Sequence, residues 1–253
     1  MNSISKNAII GENVKIGEFT VVKDDVVIGN NVEIASNVLI ADGARISDNV
    51  KIGHGAVVSA LPQDLKFEGE KTYFEIGEGT IIREYVTLNR GTKHSGKSVV
   101  GRNCFLMSYV HVAHDCRVGD NVVIANAANM GGHVEIGDWA IVGGLVPIHQ
   151  FVKIGKHSII GGGFRTVKDI PPFILAGSVP LRFEGLNIIG LKRRGYTADQ
   201  IRKIRDIYNV IYRSQYNVSD AVKFIENEME HDEFTETVVS FIKSCKRGIV
   251  KGK

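Results

Sequence analysis

Every sixth residue from Ile10 is aliphatic: Ile10, Ile16, Val22, Ile28, Ile34, Ile40, Ile46, Ile52 and Val58. The same register resumes at Ile76, Ile82 and Leu88, and runs again from Val100 through Leu106, Val112, Val118, Ile124, Met130, Ile136, Val142, Ile148 and Ile154 to Ile160. Side chains on a helix recur every ~3.6 residues and on a strand every two, so neither alone yields a period of six. Four places after each aliphatic stands a small or β-branched residue, as in Val14, Thr20, Val26, Val32, Val38, Ala44, Val50 and Ala56. Gly, Asn and Asp fill the space between, as in Ile28-Gly29-Asn30-Asn31-Val32, and these residues tolerate the left-handed backbone of a corner. The pattern predicts short strands joined by corners. Three hexads close one triangular coil of about 18 residues, with the sixth-position aliphatics stacked inside a parallel β-helix.

Two stretches break the repeat and return to it in register, Ser59 to Tyr73 with "LPQDLKFEGE" and Asn89 to Ser98 with "NRGTKHSGK". They read as loops thrown out of intact coils, and loops on a rigid scaffold commonly carry function. After Thr166 the hexads dissolve, and Pro171-Pro172 predict an end to regular pairing. A helical period follows. Thr197 reads as an N-cap before Ile201, Ile204, Tyr208 and Ile211; Ser219 as a second cap before Val222, Ile225 and Met229; Phe234, Val238, Phe241, Ile242 and Cys245 mark a third stripe. The expected organisation is a mainly β domain over residues 1–185, with excursions near 59–75 and 89–99, and a small α-helical domain over 186–253. The general crossover rule favours right-handed connections, so periodicity supplies no reason to expect a left-handed coil.

Composition narrows the functional classes. With 43% apolar and 23% charged residues in 253, the chain is ordinary for a globular protein. No apolar run approaches the ~20 residues needed to cross a bilayer, and the N-terminus carries no basic-then-apolar leader, so a cytoplasmic, not membrane-spanning, protein is expected. Cys104, Cys116 and Cys245 form neither a CxxC pair nor a disulfide framework. The first two occupy small-residue slots of their hexads and the third an apolar helical stripe. A net charge of +3 is too small and dispersed to argue for nucleic acid. The run Lys192-Arg193-Arg194 is either a solvated turn or a phosphate anchor.

The candidate chemistry lies in histidine. Stacked coils place residues i, i+18 and i+36 in one column, with neighbours about 4.8 Å apart. His114 then aligns with Gly132 and Gln150; Asp115 with His133 and Phe151; Ala113 with Gly131 and His149. Residues scattered along the chain thus converge on one patch holding His111, His114, His133, His149 and Gln150. A neutral imidazole suits a general base, and the amide of Gly132 beside it suits an oxyanion. Adjacent strand residues point to opposite faces, so Asp115 orients His114 only if the backbone bends between them. Zinc is the competing reading, since gamma-class carbonic anhydrases hold it with histidines on a β-helix. That arrangement wants a histidine pair five apart, and the residue five after His133 is Asp138, so no metal site is expected.

The segments "PQDLKFEGE", "IREYVTLNRGT", "VHVAHDCRVGDN", "GGHVEIGDWAIVGGLVPIHQFVKIG", "KDIPPF" and "GLNIIGLKRRGY", in this order and ahead of a helical tail, closely resemble the UDP-N-acetylglucosamine O-acyltransferases, the hexapeptide-repeat family that opens lipid A biosynthesis. The resemblance implies a homotrimer of left-handed β-helices with active sites between subunits. It implies transfer of an (R)-3-hydroxyacyl group from acyl carrier protein to the glucosamine 3-hydroxyl of UDP-N-acetylglucosamine, without metal or other cofactor; some members acylate a 3-amino sugar instead. By motif, His114 is the general base, Asp115 its partner and the Gly132 N–H the oxyanion donor. Gln63, Asp64, His111, His133, His149 and Gln150 position sugar, pantetheine or acyl chain, Gly162 stands where the family limits acyl length and as glycine leaves room for a long chain, and Asn187, Arg193 and Arg194 hold the nucleotide. The chain departs from the pattern at Ile189, where an acid is expected, and in "LAGSVPLRF". Two other classes are compatible with the coil alone. A coenzyme A-dependent sugar acyltransferase would not need the matching loops and LKRRG segment, and a non-enzymatic scaffold would show flat, uninterrupted faces.

Overall fold

The computed structural model describes residues 1–252. Strands of mostly two residues are dealt in turn to three sheets, so each strand pairs in parallel with the third one after it. Ser3 pairs with Val21, Val21 with Leu39 and Leu39 with Val57, which is the 18-residue coil. Val57 then pairs with Thr87, and Thr87 with His111, so the first excursion lengthens its coil by two hexads and the second by one. Insertion in whole hexads keeps every aliphatic pointing inward. The sheets, of eight, eight and ten strands, enclose a left-handed parallel β-helix.

Inside, the sixth-position column is nearly sealed: Ile28, Ile40, Val58, Leu88, Leu106, Ile124, Val142 and Ile160 are buried. The small-residue column between them is equally so, from Thr20 to Val152, and includes Cys104 and Cys116, whose thiols burial pushes up to about 11 and about 12. Ile4, Ile9 and Ile10, in the first described coil, are exposed. The corners take left-handed backbone at most sixth positions of the coil. Asn13, Asn31, Asn37, Asn49, Asn103 and Asn121 fulfil the sequence expectation, yet the same positions also hold Tyr85, Tyr109, Asp115, His133, Trp139, Leu145, Phe151 and His157. Bulky residues pay strain for such angles, and here ring stacking between coils offsets it, as for Tyr85 on Tyr109 and His133 on Phe151.

Pairing does not stop at Pro171-Pro172. Ile154 bridges Ile170 and Ile159 pairs with Leu175, an offset two residues short of a full coil, which hides the hexad while completing the turn. Ile174–Gly177 then pairs antiparallel with Arg182–Leu186 and closes the third sheet. Four helices follow: α1 (Ile188–Arg193), α2 (Ala198–Arg213), α3 (Val218–Glu228) and α4 (Glu233–Ser244). Thr197 caps α2 in a reciprocal capping box with Gln200, as expected. The cap of α3 is Asn217 rather than Ser219, since the Asn217 side-chain Oδ1 accepts from the Asp220 N–H, and Ser219 lies inside the first turn. Cys245 follows the last turn of α4, half-buried against the core, and its thiol is pushed up mainly by burial. Buried Tyr208 donates to the Pro172 carbonyl (2.6 Å), Tyr212 to that of Val250 (3.0 Å), and Ile249 bridges back to Asp169. The helices thereby cap the lower end of the coil on one continuous apolar core.

Candidate active site

Asp115 stands at a corner with φ +59°, and this is the bend that sequence alternation leaves open. The turn brings its carboxylate onto the preceding side chain: Oδ2 lies 2.8 Å from His114 Nδ1. The second excursion loop folds back over the same carboxylate. Thr92 donates its backbone N–H (3.0 Å) and its hydroxyl (2.8 Å), and the Ser95 hydroxyl donates as well. Burial by itself would raise the Asp115 pKa, but the hydrogen bonds from His114, Ser95 and Thr92 outweigh it and hold the carboxyl at about 2. Because that value lies below the ordinary carboxylate range of about 3.9, ionised Asp115 stabilises the fold above that range, and the contribution is lost as pH falls toward 2. With Nδ1 engaged, His114 keeps Nε2 for chemistry, on a side chain that is 12% exposed.

Gly132 lies one coil along. A Cβ there would sit 2.5 Å from His114 Cε1 and 2.6 Å from Nε2, so the imidazole occupies the space that any larger residue would need. The neighbouring amides are spent, Gly131 N–H on the Ile148 carbonyl and His133 N–H on that of His114. Among the described residues, no acceptor takes the Gly132 N–H. An imidazole and a free amide donor thus lie side by side.

His133 extends the patch. Its ring meets His114 edge-on at 5.2 Å and stacks on Phe151 at 4.4 Å, and burial lowers its pKa against the opposing pull of Asp115. His111 donates to or accepts from the Thr87 hydroxyl through Nδ1 at 2.7 Å; burial, then the charge of His114, lowers its pKa. Asp64, on the first excursion loop, lies within charge reach of His133, and Gln63 beside it is exposed. Gln150 is exposed, and His149 turns Nδ1 toward its own Gln150 carbonyl at 3.1 Å, so it adjoins the patch without touching the other imidazoles among the described residues. Gly162 is exposed next to Gly144, toward a different corner.

Asn187, Arg193 and Arg194 are not brought to this patch within the chain. The patch occupies the corner of Asp115, His133 and Phe151, whereas Arg194 lies over Trp139 at the corner of Asn121, Trp139 and His157. Asn187 caps α1, accepting from the Gly190 N–H (3.1 Å) and donating to the His157 carbonyl (2.9 Å). Ile189 is 68% exposed and shares a helical face with Arg193.

Three residues absent from the sequence reading complete the site: Thr92, Ser95 and His94, whose ring meets His133 edge-on at 4.8 Å. The signal available was an aspartate at a corner, among positions that take Asn, Gly, aromatic and aliphatic residues; which loop would satisfy it was not readable. His114, Asp115 and His133 also offer three donors within 4.8 Å of one another, enough for a transition metal. Yet the 2.8 Å between His114 Nδ1 and Asp115 Oδ2 is a hydrogen-bond separation, and both carboxylate oxygens already accept from the loop. The arrangement is that of a hydrogen-bonded imidazole and carboxylate. Replacing Thr92 by Val and Ser95 by Ala should free the carboxylate and reduce kcat roughly tenfold, in the range of one to two lost charged hydrogen bonds, with the acceptor KM unchanged. Steady-state kinetics on the double variant decide this, and an unaltered kcat would make the loop a bystander.

The family model described as UDP N-acetylglucosamine O-acyltransferase, domain 2, matches residues 169–250, and the model for the bacterial transferase hexapeptide matches 7–42, 25–60 and 97–131. An acyl-(acyl-carrier-protein)-UDP-N-acetylglucosamine O-acyltransferase from Chlorobaculum tepidum is 54% identical over 95% of this chain and 92% of its own. Among solved structures, the UDP-N-acetylglucosamine acyltransferase of Bacteroides fragilis is 43% identical and superposes with a TM-score of 0.95 over 99% of this chain and 98% of that one. The Francisella novicida enzyme of the same name is 35% identical, with a TM-score of 0.96 over 99% and 92%. The chain therefore belongs to the UDP-N-acetylglucosamine O-acyltransferase family, and it is an acyltransferase.

Proposed function

We propose that this protein transfers an (R)-3-hydroxyacyl group from the phosphopantetheine thioester of acyl carrier protein to the glucosamine 3-hydroxyl of UDP-N-acetylglucosamine, the first step of lipid A biosynthesis. The observation that carries the reading is the His114–Asp115 pair lying over the unspent Gly132 amide. His114 Nε2 takes the proton of the 3-hydroxyl as its oxygen attacks the thioester carbonyl carbon, and the new C–O bond leaves a negative charge on the carbonyl oxygen. The Gly132 N–H stabilises that oxyanion. Asp115, ionised and fixed, stabilises the imidazolium. Collapse breaks the C–S bond, and the departing pantetheine sulfur takes the proton back from His114. Each proton and electron pair is accounted for by substrate and side chain, so the reading calls for no metal or other cofactor.

The separation of the two residue groups supports a homotrimer. If His114 and Arg194 serve one substrate, they come from neighbouring copies, because a single chain holds them at different corners. The third corner exposes Phe19, Tyr85, Tyr109 and Leu145, an apolar stripe suited to self-association. Among the described residues, no helix is long and apolar enough to cross a membrane, which accords with a cytoplasmic enzyme meeting two water-borne substrates.

The test offers purified protein UDP-N-acetylglucosamine or its 3-amino analogue with a panel of 3-hydroxyacyl carrier proteins, and identifies products by mass. Transfer to the 3-hydroxyl, indifferent to a chelator, is expected. Transfer only to the amine would shift the acceptor, transfer from coenzyme A alone would replace the donor, and no product from any pair would refute the reading.

A further inference from the structure

The corner opposite the histidine patch carries an aromatic tier that the proposed chemistry does not use. Trp139, His157 and Phe173 follow one another on successive coils with nearly parallel rings, centroids 6.4 and 5.7 Å apart. The tier is graded, with Trp139 39% exposed at one end and Phe173 sealed at the other. His157 ties it to the turn that bears the arginines. Its carbonyl takes the Asn187 amide at 2.9 Å, ahead of α1, and its Nε2 lies 3.1 Å from the Tyr196 hydroxyl, just beyond α1. The α1 turn is thus pegged at both ends to one residue of the coil.

Onto this tier Arg194 lays its guanidinium, with Cζ 5.0 Å from the Trp139 ring centroid. Its Nη1 is buried and has no hydrogen-bond partner, and no carboxylate forms an ion pair with Arg194 among the described residues. Burial disfavours its charged form, against which only Tyr196 acts. A half-buried cation without a counter-ion is costly, and the arrangement becomes favourable once an anion completes it. A guanidinium held over a ring through its central carbon spends no N–H donor on a hydrogen bond there, and its donors can form a fork to phosphate oxygens.

We infer that Trp139 is a positioning residue for the acceptor, a shelf that holds Arg194 extended so that its rim receives the diphosphate of a nucleoside diphosphate sugar. This rests on the proposed UDP-sugar acceptor and adds to it the residue that fixes the angle of the phosphate fork. Trp139 touches Arg194 rather than the reacting atoms, so its loss acts on acceptor binding and leaves the His114 step alone. Trp139 is also the chain's single tryptophan, so an anion arriving on Arg194 alters the one indole signal the protein has.

Two measurements test this. UDP alone is titrated into the wild-type protein with tryptophan fluorescence as the readout, and a saturable change that Arg194→Ala weakens at least tenfold is expected. Then Trp139→Leu, which keeps apolar bulk without a π face, should raise the KM for UDP-N-acetylglucosamine roughly three- to thirty-fold, the span of a cation–π contact. Its kcat and its KM for acyl carrier protein should stay within about twofold of wild type, and Trp139→Phe should restore most of the acceptor KM. An acceptor KM unchanged in Trp139→Leu, or a kcat loss that Phe does not rescue, overturns the inference while leaving acyl transfer itself intact. Should the wild type fail to acylate any sugar nucleotide yet give a saturable fluorescence response to UDP, the proposed reaction falls and the diphosphate shelf stands.

Discussion

His114→Ala is expected to lower kcat by about 10²- to 10⁴-fold, the usual range for removing a general base, while the chain keeps its fold. The stability half of this expectation follows from where the ring lies. His114 packs across Gly132 at a corner and not within the aliphatic columns, so truncation opens no core cavity. Asp115 loses one hydrogen bond but keeps those from Thr92 and Ser95, so the buried carboxylate is not orphaned. Thermal unfolding should therefore change little, and single-turnover kinetics with saturating substrates should show the loss in the chemical step. A variant that retains a tenth of wild-type turnover would mean that another group takes the proton, with His133, 5.2 Å away, the first to examine.

Gly132→Ala is expected to cost about 100-fold in kcat, although alanine keeps the backbone N–H assigned to the oxyanion. The reason is space. The added methyl would sit 2.5 Å from the His114 ring, inside any real contact distance, so the imidazole must swing away. That movement breaks the 2.8 Å bond to Asp115, and misorientation of a catalytic group by an ångström is worth about this much. Stability should change little, because every atom that the methyl meets belongs to the His114 ring, which lies at a corner and can move. The double variant with His114→Ala separates the two explanations, because no ring remains to clash. If the methyl acts through the imidazole, adding Gly132→Ala to His114→Ala should reduce kcat less than threefold further. A further 100-fold loss would instead place the damage at the amide or in substrate access.

Both predictions rest on a pairing that is legible in the sequence. A strict period of six implies three strands per turn, and a turn of 18 aligns His114 with Gly132 by counting. Asp115 was half legible. Its adjacency to His114 was plain, but strand alternation argued against a contact, and only the left-handed backbone at that corner reversed the geometry. The Thr92 and Ser95 bonds were out of reach for a different reason. They span 23 and 20 residues, and a loop's fold-back depends on its own backbone path, which obeys no repeat.

Further along the chain, the limits have similar causes. Pro171-Pro172 suggested an end to pairing, yet a shortened coil carried Ile174–Gly177 into the third sheet, because a parallel strand needs register with its neighbour rather than an unbroken hexad. Asn217 and Ser219 are both competent caps, and choosing between them required knowing which side chain faces the first free N–H groups. Asn187, Arg193 and Arg194 are legible in the segment GLNIIGLKRRGY, but their distance around the prism from His114, and the resting of Arg194 on Trp139, follow from where the helical cap docks.

By itself, then, the sequence determined the coil, its inward aliphatic columns, the points where loops leave it, and the meeting of a histidine with a glycine one coil away. These are consequences of a period, and a period acts locally, each residue answering to a neighbour at constant spacing. The tertiary structure alone decided the bend that turns Asp115 onto His114, the loop that locks it there, and the corner to which the arginines are carried. Those contacts join segments that share no repeat, so their partners are selected by packing in space and not by spacing along the chain.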